Sequence, residues 1–181
     1  MGGFQEDRVM RIPVAILLFG FALSGCRDTN GTETPDPVKL SEDAVGHYCQ
    51  MYVLDHSGPK AQIHLAGQPA PLWFAQVRDA VAFIREPEKT AEITAVYVND
   101  MARAASWEDP GIDNWIVAGK ATYVVGSDAT GGMGAPEVVP FGTEDAAKEF
   151  AARHGGDLMR LNDIPDDAVL GAVDMEHEEG S

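Results

Sequence analysis

Basic residues are scarce in this chain. Thirteen Lys and Arg stand against 29 Asp and Glu, which leaves a formal charge of −16 and a pI near 4.5. Such a chain cannot neutralise a run of phosphates, so nucleic acid is excluded as a partner. Nor can it adsorb to anionic head groups, and any membrane attachment has to rest on lipid chains alone. A long apolar stretch is missing too. Residues 13–23 (PVAILLFGFAL) form an apolar run of eleven, too short for a spanning helix, which needs about 20 residues. The glycine-rich stretch Gly131-Gly132-Met133-Gly134 lacks the lysine and hydroxyl of a P-loop, so it is no phosphate cradle. Cysteine occurs only twice, at Cys26 and Cys49.

What is present begins with a leader. Arg8 and Arg11 precede the apolar run, which ends in Leu23-Ser24-Gly25-Cys26. These are the proportions of a secretory signal, and its end resembles the bacterial lipobox. The expectation is a lipoprotein signal peptide over residues 1–25, removed before a lipidated Cys26. Arg27 follows, not the aspartate associated with inner-membrane retention, which tilts the anchor towards the outer membrane. Residues 26–40 are polar, contain Pro35 and Pro37 and show no apolar period, as a tether would. Residues 174–181 (DMEHEEGS) form an acidic tail in which Met175 and His177 could touch a soft metal. At 45% hydrophobic, the chain can bury a core.

Between tether and tail the expected fold class is α+β, two similar ββαβ units in tandem. The first, residues 41–112, takes strands at 47–53 and 61–65, a helix at 76–85 spaced by Val77, Val81 and Ile84, and a strand at 93–98 closed by Asn99-Asp100. The second, residues 113–173, takes strands at 121–125 and 137–141. A helix at 144–154 follows, capped by Thr143 and stopped by Gly155-Gly156. A strand at 157–161 then closes on Asn162-Asp163.

The stretch HYCQMYVLDHSGPKAQIH, residues 47–64, holds the chemistry. Read as a strand, it puts His47, Cys49 and Met51 on one face, with His56 folding back from the turn. A thiol, a thioether and an imidazole suit copper(I). Zinc competes, but structural zinc wants four ligands, mostly Cys and His, and rarely a thioether. Calcium and magnesium want oxygens, and only Asp55 offers one. A bland reading stands beside this one: Cys49 a small buried hydrophobe, Met51 core filler, His56 a turn cap. An unpaired thiol in an oxidising compartment is a liability, which implies a use or deep burial. Trp73, Phe74, Trp107 and Trp115 read as core or partner surface, and His154 as a partner of its helix dipole. Lys60 reads as a structural residue holding an acidic neighbour.

The lipobox, Cys49-x-Met51, His56, the run Gly58-Pro59-Lys60-Ala61-Gln62-Ile63 and the later Gly132-Met133-Gly134 together resemble the NosL family, lipoproteins encoded with nitrous oxide reductase. The resemblance spans the chain between tether and tail. It implies a periplasm-facing copper(I) metallochaperone, with a fold related to the organomercurial lyase core. Cys49, Met51 and His56 would be ligands, and Met133 would complete or replace one of them. The implied partners are an ABC-type membrane assembly complex and apo nitrous oxide reductase. Two other readings stay open: an enzyme with Cys49 as nucleophile activated by His47 or His56, and a scaffold that binds a protein through its acidic surface.

Overall fold

The computed structural model describes residues 1–3 and 34–171. Cys26, the leader and most of the tether, and Met175 and His177 therefore lie outside the described residues. The remainder is α+β, with two antiparallel sheets and helices. The first sheet holds β1 (Ala61–Leu65), β2 (Leu72–Phe74), β3 (Ile93–Asn99) and β4 (Trp115–Val117), in the order β2-β1-β3-β4. The second holds β5 (Thr122–Val125), β6 (Val139–Phe141) and β7 (Asp157–Met159), in the order β6-β5-β7.

Both halves follow one plan. The first strand sits in the middle, the second folds back beside it, and a helix carries the chain across to the other edge. In the first half that helix is α1 (Val77–Arg85), and in the second it is α2 (Glu144–His154). Because β2 and β3 both run antiparallel to β1, they are parallel to each other, and only a crossover can join them. Ala61 of β1 pairs with Phe74 on one side and Val98 on the other, and Tyr123 of β5 pairs with Pro140 and Met159. The tandem ββαβ expectation thus holds, with β4 added to the edge of the first sheet.

One predicted element is not there. Residues 47–53 are a turn and the start of a short 3-10 segment (Val53–Asp55), not a strand. The first unit's strands are instead β1 and β2, and Trp73 and Phe74 supply the second. The cause is local. Gly46 N donates to Met51 O and Gln50 N to Gly46 O, so the chain closes on itself, and Gln50 adopts a left-handed φ of 56°. An extended ladder cannot continue through that conformation.

One core cluster spans both halves. Phe74, Val77 and Val81 from the first cluster with Tyr123 and Val138 from the second. A short seam locks the halves together: Met101 N donates to Pro140 O, and Gly142 N to Asp100 Oδ1 at 2.7 Å. A side chain at Gly142 would meet Asp100 Oδ2 at 2.4 Å, so the seam has no room for one. The two Asn-Asp closures do different jobs. Asn99 is fully buried and bonds Lys60 N, Gly111 O and Asn114 O, whereas Asn162 and Asp163 are exposed.

Candidate metal centre

The segment before β1 is a closed loop whose ends are pinned by neighbours. Val45 bridges Tyr52, and His47 N donates to Trp73 O on β2. Gln50 Nε2 donates to the carbonyls of Gly46 and His47, which holds the strained turn from within. Cys49 is half-buried on this turn. Its Sγ lies 4.0 Å from Met51 O, and a side chain at Gly46 would meet it at 2.5 Å. Met51 is exposed, and with Asp55 and His56 it lines a surface hollow of about 410 Å³. The alternation that was to bring Cys49 and Met51 to one face is replaced by the turn. Met51 and His56 do share a hollow; Cys49 and Met133 are not among its lining residues.

His56 is held by the second half of the chain. Its Nδ1 lies 3.1 Å from Gly132 O. A carbonyl can only accept, so Nδ1 carries the proton and Nε2 of the neutral ring keeps its lone pair. That Nε2 is buried and has no hydrogen-bond partner. An orphaned lone pair on an imidazole whose other nitrogen is tied to a backbone carbonyl is how protein histidines are oriented towards metals. The glycine turn makes this contact possible: a side chain at Gly132 would meet His56 Cβ at 2.4 Å. Met133, half-exposed, follows directly on that turn.

The donors gathered around this loop are therefore soft: one thiol, two thioethers and one available imidazole nitrogen. They match copper(I) in kind. Among the described residues, no three or more His, Cys, Asp and Glu side chains converge to hold a metal, so no tetrahedral zinc site of the usual kind is assembled. Neither histidine hydrogen-bonds Cys49. His47 packs edge-on against Phe74 and Phe83, and His56 is committed to Gly132. A separate hollow of about 770 Å³ beside Trp107 and Phe150 is lined by none of the predicted donors.

The NosL family model matches residues 37–169, which includes the loop, the glycine turn and both sheets. The chain belongs to the NosL family. A copper-binding lipoprotein NosL from Achromobacter cycloclastes is 51% identical over 157 residues, covering 86% of this chain and 81% of that protein. Another from Stutzerimonas stutzeri is 31% identical over 163 residues, covering 89% and 83%. The crystal structure of the copper chaperone NosL from Shewanella denitrificans superposes with a TM-score of 0.67 at 29% identity, covering 73% of this chain and 96% of that one. NosL relatives are thus described by copper binding or chaperone roles, and not as enzymes.

Behind the donors lies a buried polar layer that sequence reasoning largely missed. Lys60, 1% exposed, donates from Nζ to Ser57 O at 2.9 Å and Gly58 O at 2.6 Å, clamping the loop after His56. Burial lowers its pKa to about 8, against the opposing pull of Glu137. Glu137, 2% exposed, accepts from Arg78 N and Val138 N, so it caps α1 from another element. Burial raises its pKa to about 8. Gln76 accepts from Met133 N at 3.1 Å. The faint signals for these residues were a lone acid heading an apolar run at 137–141 and a glutamine where a helix cap usually carries Ser, Thr, Asp or Asn. The packing of Gly58 against the Trp107 indole had no signal in sequence at all.

Proposed function

We propose that this chain is a copper(I) carrier, anchored through a lipidated Cys26 on the periplasmic side of the outer membrane. It supplies copper for nitrous oxide reductase by way of an ABC-type assembly complex. The observation that carries the copper reading is His56: a buried Nε2 with no partner, in a tautomer set by Gly132, beside the hollow that Met51 lines. Cys49 and Met133 supply further soft donors from the adjoining turns. Copper is cargo here, and the donors sit on partly exposed loops, so exchange with a partner is open to them. A closed cage of four ligands would hold the ion too well. The described copper binding of relatives at 51% and 31% identity supports the reading. The nucleophile reading lacks the base in contact with Cys49 that it needs.

The test is an anaerobic titration of the full-length, detergent-solubilised protein with copper(I) against a chromophoric chelator, beside Cys49→Ser and His56→Ala. Tight binding that weakens at least tenfold in each variant is expected. Binding indifferent to both substitutions would remove the site.

A further inference from the structure

We propose that Gln76 is a positioning residue for copper, acting through the backbone of Met133. The inference rests on the reading of Met133 as a ligand.

Residues 129–137 form the end of the β5–β6 connection. Glu137 N donates to Ala129 O, Thr130 bridges Pro136, and Gly131 N donates to Ala135 O, which leaves 131–134 as the tip. This tip is wedged between two layers. On one side Gly132 lies against His56. On the other, a side chain at Gly131 would meet Gln76 Oε1 at 2.4 Å and Glu137 Oε2 at 2.6 Å. The backbone of the tip therefore rests directly on two buried side chains from outside it or from its base.

Gln76 is 3% exposed and precedes the first turn of α1. Its amide is read in both directions. Nε2 donates to Asp79 Oδ2 at 3.2 Å, which turns Oε1 towards the tip, where it accepts from Met133 N at 3.1 Å. The pairing needs a donor and an acceptor on one planar group. A glutamate would accept from Met133 but set a charge against Asp79, and a leucine could do neither. α1 belongs to the first half and Met133 to the second, so this bond, beside the one between His56 and Gly132 O, ties the backbone of Met133 to the half that carries His56. A ligand held to within a fraction of an ångström by such outer contacts binds more tightly than one on a free loop.

The test is a double-mutant cycle of Gln76→Leu and Met133→Leu in the full-length protein. It is read by copper(I) competition and by X-ray absorption, which counts sulfurs bound to copper. Gln76→Leu should weaken binding roughly 10-fold and remove one sulfur from copper. The double variant should bind no more weakly than Met133→Leu alone. Gly131→Ala, whose added side chain pushes the tip off Gln76 Oε1 and Glu137 Oε2 while leaving Gln76 in place, should lose the same sulfur, and it decides the matter if Gln76→Leu does not fold. The proposal fails if Met133→Leu costs affinity while Gln76→Leu and Gly131→Ala do not. It also fails if Gln76→Leu costs as much with Leu at 133 as with Met. If Met133→Leu itself changes nothing, the ligand reading of Met133 falls, and the inference goes with it.

Discussion

Met51 shows how little packing some of these side chains contribute. It is 42% exposed, in a stretch, residues 47–57, where Val53 alone is buried. Met51→Leu conserves volume, and a swap of that kind costs less than about 1.5 kcal/mol even in a core. We therefore expect an unchanged melting temperature together with clearly weaker copper(I) binding. Equal affinity in the two proteins would show the thioether to be a surface group only. At this scale the sequence shows which donor types lie close along the chain, as Cys49, Met51 and His56 do, but not that only Met51 and His56 of these line the same hollow. It was silent where a contact spans the chain. His56 meets Gly132 across 76 residues, and Arg78 meets Glu137 across 59. No local pattern records such a meeting, because it exists only once the two halves have docked.

Elements with their own start and stop chemistry were legible. α2 begins at Thr143, whose side chain accepts from Ala146 N, carries Glu144 and Asp145 in its first turn, and ends at Gly155 with φ of 72°. Thr143→Ala should lower stability by about 0.5–1 kcal/mol, the low end for a cap because the bond is long at 3.4 Å and exposed. Copper(I) affinity should stay the same; denaturant melts and the chelator competition check both halves of this expectation. The 47–53 strand failed for the opposite reason. Its aromatic and β-branched residues, Tyr48, Tyr52 and Val53, suit a strand, but Tyr48, Met51 and Tyr52 all face solvent. What shapes the segment is the local Gly46–Gln50 closure together with the bond from His47 N to Trp73 O, which is a tertiary fact. β2 went unread because three residues, Leu72–Phe74, carry too short a period to register.

The whole molecule depends on a core and a seam that both halves share, and its pH response follows from what is buried there. In the unfolded chain Glu137 ionises near its ordinary value of 4.5, while in the fold burial keeps it protonated up to about 8. Across that window the folded chain holds a proton that the unfolded one has lost, so this group makes stability fall as pH rises. Lys60 acts higher up: from about 8 to 10.5 the folded chain has lost a proton that the unfolded one keeps, so its contribution rises with pH. Lys60 and Asp79 are the charged side chains that act on Glu137. Glu137→Gln retains an acceptor for Arg78 N and cannot ionise. Its melting temperature should be flatter than the wild type's between pH 4.5 and 8, and parallel curves would show that Glu137 does not titrate in that range.

The repeat is imperfect at the proposed site as well as at β4. Among the described residues, the first half has a donor-bearing loop ahead of its central strand and the second has a glycine tip that reaches His56. A protein built from two like units would ordinarily offer two equivalent sites. On the proposed reading one unit supplies the thiol, a thioether and the imidazole, and the other supplies Met133 and the Gly132 carbonyl that orients His56, so neither is complete alone. The stoichiometry expected from that reading is a single copper ion for each chain.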